Sequence, residues 1–90
     1  MGNDVQRQDD RYEITVDGEH AGFAFFELHH GVVVFTHTEI DSAFEGKGIG
    51  SQLAQAALDD VRARGLTVKP LCPFIKAWIE KHPDYQELVA

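Results

Sequence analysis

The sequence predicts an α/β chain with a mixed α+β sheet: an antiparallel three-strand meander, then a helix, a parallel strand and a C-terminal helix. Three observations predict it. Residues 11–38 alternate apolar with polar positions and are broken by turn residues, residues 48–64 change to a helical period, and a short apolar stretch at 66–69 follows before Pro70 and Pro73. Side chains repeat every two residues on a strand and about every 3.6 on a helix, so the change of period marks the change of element.

Arg11-Tyr12-Glu13-Ile14-Thr15-Val16 has the alternation of a half-buried strand, and Asp17-Gly18 supplies a tight hairpin turn. A second strand is expected over about His20–Leu28, with Phe23 and Phe25 on one side and Ala24, Phe26 and Leu28 on the other. His29-His30-Gly31 reads as the next turn. Val32–Thr38 is β-branched and apolar on both faces, as a central strand should be. A polar loop, Glu39–Lys47, then leads into glycines. From Gly48 to about Arg64, Ile49, Leu53, Ala57 and Val61 recur every four residues, and Gly65 is a natural helix stop. Leu66–Lys69 is a short strand closed by Pro70. Pro73 can open a helix whose apolar face is Phe74, Ile75, Trp78 and Ile79, and a last turn near 83–89 returns Tyr85, Leu88 and Val89 to the core. A helix of this length suits a crossover between parallel strands.

Residues 1–90 read as one domain, with an expected core of Phe23, Phe25, Phe35, Leu53, Leu58, Val61, Phe74, Trp78 and Ile79. A lone Cys72 cannot form an internal disulfide, which excludes a disulfide-stapled scaffold. The front of the chain is polar rather than signal-like and no apolar run reaches bilayer length, so a cytoplasmic placement without a membrane partner is expected. Net charge is −7, from fifteen Asp and Glu against eight Lys and Arg. A nucleic-acid partner wants the opposite balance. His20, His29, His30 and His82 lack helix-spaced pairing and cysteine partners, so no metal site is expected.

The strand-to-helix turn Glu45-Gly46-Lys47-Gly48-Ile49-Gly50 carries the chemistry. Glycines let the backbone approach a ligand and adopt positive φ, and the first helical N–H groups have no internal partners. With the positive end of the helix dipole they form a phosphate site, to which Lys47 adds a charge. The glycine spacing is not G-x-G-x-x-G, and Lys47 is followed by glycine rather than Ser or Thr, so neither a dinucleotide fold nor a P-loop is supported.

Four segments in order over about residues 12–89 resemble the GNAT acetyltransferase superfamily, and more narrowly its short YjdJ-like (NATD-type) members: Thr36-His37-Thr38-Glu39-Ile40, Glu45–Ser51, Pro70–Ile75 and Ile79–Tyr85. The resemblance implies an acetyl-CoA donor, its pyrophosphate held by the backbone of Gly46, Lys47, Gly48, Ile49, Gly50 and Ser51. It also implies pantetheine lying where strands 32–38 and 66–70 splay. Glu45 stands where the superfamily pattern has Gln or Arg; a carboxylate cannot donate to phosphate, so Glu45 is expected to face away.

Acetyl transfer needs a proton acceptor for the amine and a proton donor for the departing thiolate. Cys72, ahead of Pro73 at a helix start, is the first catalytic candidate, as acid or as an acetyl-carrying nucleophile. His37 is the second, as a base, and strand alternation puts it on the face of Val33 and Phe35. Glu39 is a further candidate, as a water-mediated base. The expected activity is N-acetyl transfer from acetyl-CoA to an amine, with a self-docking acceptor such as a protein lysine because so short a chain leaves little to wall an acceptor site. The alternative is a noncatalytic CoA- or acyl-CoA-binding regulatory module.

Overall fold

The computed structural model describes residues 2–90. The elements run β1 (Asn3–Arg7), β2 (Arg11–Val16), β3 (Glu19–His29), β4 (Val32–Ile40), α1 (Ile49–Ala63), β5 (Thr67–Pro70) and α2 (Pro73–Glu80), with 3-10 turns at Ser42–Phe44 and Pro83–Leu88. They form one five-stranded sheet in the order β1-β2-β3-β4-β5. The first four strands pair antiparallel, and β5 joins β4 in parallel after the α1 crossover. The mixed α+β class expected from the sequence is the one found. No helix of the described residues is long and apolar enough to cross a membrane.

Both expected hairpin turns form for the anticipated reason. Asp17 and Gly18 have φ of 50° and 84°, and His30 and Gly31 have φ of 51° and 81°. Two consecutive left-handed residues match the twist of a tight hairpin. Strand β1 was not expected. Its Asp4 and Gln6 are exposed and only Val5 and Arg7 are half-buried, so it lacks an apolar stripe. It forms because the edge of β2 offers a ladder, registering Val5 with Ile14 and Arg7 with Tyr12.

Two bulges reset the alternation. On β3 the register steps over Ala21, and on β4 it steps over Thr36, so that Phe26 faces Phe35 but Phe25 faces His37. One extra residue turns every later side chain to the other face. Both helices cover the face that carries Tyr12, Ile14, Ala24, Phe26, Val33 and Phe35, and these join Leu53, Ala57, Leu58, Val61, Ile75, Trp78 and Ile79 in one buried cluster. Phe23 and Phe25 are therefore not core residues. They stand half-buried on the open face, and Phe74 is 42% exposed. Alternation alone divides a strand into two faces but does not say which one a helix covers. Small Ala21 and Ala24, both fully buried, mark the covered side of β3.

Helix α1 ends as Gly65, at φ 70°, turns the chain and the Leu66 amide returns to the Val61 carbonyl at 3.1 Å. Polar contacts also tie α1 to β2: the Tyr12 hydroxyl and Arg64 Nε both donate to Asp60 Oδ2 at 2.7 Å. Burial, then the Asp60 carboxylate, push the Tyr12 hydroxyl well above the ordinary phenol range. Burial works against the charged form of Asp60, but the bonds from Tyr12 and Arg64 outweigh it and hold the carboxyl below its usual value. A carboxyl with a lower pKa folded than unfolded contributes stability above its unfolded value, about pH 4. That contribution is lost as pH falls through the lowered folded value. Asp60→Asn is expected to cost about 1 kcal/mol at neutral pH, screening by solvent included, and to flatten the acid limb of a urea-midpoint profile.

Candidate functional site

The loop that enters α1 is held open by its own backbone. Asp41 Oδ1 accepts from the Ala43 amide at 2.9 Å, closing the short turn after β4. Gly46 and Gly48 then adopt φ of 79° and 74°, which L side chains rarely reach. Gly48 caps α1 without a side chain, and the first bond of the helix runs from the Gln52 amide to the Gly48 carbonyl at 3.1 Å. The amides of Ile49, Gly50 and Ser51 lie ahead of that bond and have no acceptor among the described residues. A Cβ built at Gly46 or Gly48 meets no atom within 4 Å, so these positions face open space.

That space is a groove of about 440 Å³. Gly46, Gly48, Ile49, Gly50 and Ser51 line one side of it, Ile40 and Phe44 its β4 end, and Phe74, Trp78, Lys81 and His82 the α2 side. Lys47 is not among the lining residues; its Nζ sits 5.9 Å from the Phe44 ring, which is. Gly50 lets the helices meet, since a Cβ there would lie 2.8 Å from the tip of the Phe74 ring. Trp78 Nε1 donates to Ser51 Oγ at 2.8 Å, and the His82 ring stacks on the Trp78 indole at 3.8 Å. His82 Nδ1 lies 2.7 Å from the Trp78 carbonyl oxygen, an acceptor only, so Nδ1 carries the hydrogen of that bond. Sequence reasoning took Trp78 as core, considered His82 only as a metal ligand, and placed neither Lys81 nor His82 at the groove. Their spacing of i, i+3 and i+4 puts them on one side of a helix and was the signal available.

The strand pair opens beside this groove. β4 and β5 register only from Val32–Thr67 to Phe35–Pro70, after which the Leu71 and Cys72 amides both donate to the Phe35 carbonyl at 3.0 and 2.9 Å. From Thr36 to Ile40, β4 runs on with no strand on that side. Cys72, the cap residue of α2, is 2% exposed, and its Sγ lies 3.2 Å from Thr38 Oγ1. The expected splay is present, with a thiol at its covered side.

His37 is elsewhere. The bulge at Thr36 turns it away from Val33 and Phe35, correcting the face expected from simple alternation. It stacks with Phe25 on the open side of the sheet, ring centroids 6.2 Å apart, and its Nε2 is 3.6 Å from Glu39 Oε2. Cys72 and His37 therefore lie on opposite faces, and no proton passes directly between them. Glu45 is exposed and is among the residues that line the groove.

An uncapped, glycine-opened helix beside a splayed parallel strand pair defines an α+β fold with an apolar-walled groove at the start of its long helix. The family model for GCN5-related N-acetyl-transferases matches residues 11–88, and the chain belongs to that family. Among curated proteins it is 31% identical to Protein NATD1 of Mus musculus, over 91% of this chain and 76% of that one, and 30% identical to Protein NATD1 of Gallus gallus, over 98% and 86%. Its fold is that of a GCN5-like putative N-acetyltransferase from Staphylococcus aureus solved by NMR, with a TM-score of 0.74 at 19% identity, covering 97% of this chain and 87% of that one. The ribosomal-protein-S18-alanine N-acetyltransferase from Escherichia coli superposes with a TM-score of 0.63 at 18% identity, over 71% of this chain and 43% of that one.

Proposed function

We propose that this chain transfers an acetyl group from acetyl-CoA to an amine, with Ile49, Gly50 and Ser51 as the amides that hold the donor's pyrophosphate. The observation that carries the reading is the set of three helix-start amides without acceptors, opening on a groove in a chain of this family. Unpaired N–H groups at a helix start favour an anion, and nothing in the loop's own geometry satisfies them. Lys81, on the α2 side, adds positive charge at the groove. Ile40, Phe44, Phe74 and Trp78 give the groove apolar walls for pantetheine, and the unpaired edge of β4 from Thr36 to Ile40 offers backbone groups to its amides.

Acetyl-CoA, when bound, supplies a thioester whose acyl carbon takes the amine nitrogen and whose sulfur leaves. The chain's own part is to fix that carbon at the splay and to handle two protons. Cys72, beside Thr38, is the proton donor to the leaving sulfur in this reading. The attacking nitrogen sheds its proton on the open side, where His37 and Glu39 stand, to one of them or to water between them. A soluble cytoplasmic setting suits this donor.

The test is binding followed by turnover. Acetyl-CoA at about a hundred times its Kd should stabilise the chain by about 2.7 kcal/mol. Free CoA should then appear, detected by a thiol reagent, when a panel of primary amines is added. Stabilisation without release from any amine would reduce the protein to a CoA-binding module.

A further inference from the structure

We infer that the helix-free face of the sheet is the docking surface for the acceptor, and that the acceptor is a lysine-bearing, positively charged segment of another protein. This deepens the acetyl-transfer reading and rests on it. Two adjacent cross-strand rows make the surface: Glu13, Phe23 and Glu39 in one, Arg11, Phe25 and His37 in the next. In the first row a phenyl ring stands between two carboxylates; Glu13 already accepts from Gln8 Nε2 at 2.8 Å and lies 2.9 Å from His20 Nδ1, which leaves the exposed Glu39, with the ring beside it, as the carboxylate open to an alkylammonium. The chain already shows that these rings hold a cation. The Arg11 guanidinium, paired with Asp10, lies 5.0 Å from the centroid of Phe23 and 4.8 Å from that of Phe25.

Arg11 covers the rings from the β2 side, and the His20 ring lies 4.2 Å from that of Phe23. On the β4 side the Glu39 and His37 side chains are 62% and 63% exposed. These two residues belong to the stretch of β4 that pairs with β3 but has no strand on its β5 side beyond Phe35, so the surface is continuous with the splay at which Thr38 and Cys72 stand on the other face. A donor that fills the covered side leaves the open face as the approach for the amine. The acidic balance of the whole chain, net −7, favours a basic segment over an acidic or neutral one. Half-buried aromatic rings flanked by carboxylates favour a chain lying across the strands over a small free amine, which needs no such breadth.

The experiment is a ¹⁵N NMR titration of the CoA-saturated protein with a glycine-spaced trilysine peptide, repeated with the glutamate version of that peptide and with spermidine. The lysine peptide alone is expected to shift the amides of Glu13, Phe23, Phe25, His37 and Glu39. The charge reversal Glu13→Lys is expected to weaken the peptide severalfold and to leave the Kd for CoA within about twofold. Phe23→Ser should weaken the peptide in the same direction. Absence of peptide shifts in a protein that binds CoA overturns the docking surface, as do shifts confined to the groove. Equal shifts with spermidine overturn the protein-segment occupant. Failure to bind CoA strikes the acetyl-transfer reading instead, and the peptide titration of the free protein then still reports on the surface.

Discussion

Gly48→Val is expected to abolish the rise in Tm that acetyl-CoA gives the parent chain. In the parent, ligand at about a hundredfold excess over Kd adds about 2.7 kcal/mol, which in a domain of this size corresponds to a rise of roughly 10–20 °C. Gly48 sits at φ 74° at the cap of α1, and a β-branched residue reaches that conformation only with strain of about 1–3 kcal/mol. Valine therefore lowers the melting point of the free protein and misdirects the Ile49, Gly50 and Ser51 amides. Gly48→Asn separates the two effects. Asparagine tolerates the left-handed region, so the free protein should melt near the parent. Its side chain, however, enters the open space at the glycine, where no atom lies within 4 Å, and ligand stabilisation should still fall.

Cys72→Ala is expected to lower kcat by about a hundredfold or more, the lower end of what a positioned acid contributes, with little change in KM for acetyl-CoA. The thiol is buried and 3.2 Å from the Thr38 hydroxyl, so its loss removes a hydrogen and a polar contact without opening the groove. Cys72→Ser tests whether size or acidity matters, since a hydroxyl fills the same place but gives up its proton far less readily. Intact-mass measurement after exposure to acetyl-CoA decides between the two thiol roles. An acetyl group on the parent, absent from Cys72→Ala, means the sulfur accepts the acyl group before the amine does; no adduct with slowed turnover means it acts as acid. Full activity in Cys72→Ala would remove the thiol from the mechanism and leave the donor site standing.

The order of elements from Arg11 onward was legible because each boundary has a local chemical cause. Asp17-Gly18 and His30-Gly31 make tight turns, Gly48 and Gly65 bound a helix, and Pro73 opens another. The glycine loop was legible for the same reason, since a helix start without a side-chain cap announces itself. What escaped depended on partners distant in sequence. Strand β1 exists only because β2 has an edge to offer. The choice of covered face depended on where α1 packs, and so Phe23 and Phe25 were assigned inward although they lie on the open side. The bulge at Thr36 carries no local signature, and it alone decides that His37 and Cys72 stand apart. Lys81 and His82 face the groove because α2 folds back against Ser51, a contact made through Trp78 across 27 residues.

The most direct measurement is a ¹⁵N NMR titration with CoA that follows the backbone amides at the start of α1. The proposed donor site requires the signals of Ile49, Gly50 and Ser51 to move downfield and saturate together, as N–H groups do on gaining a charged acceptor, while the signals of β1 and the 17–18 turn stay in place. Saturable CoA binding that leaves those three amides unmoved, or no change at millimolar CoA, would contradict it.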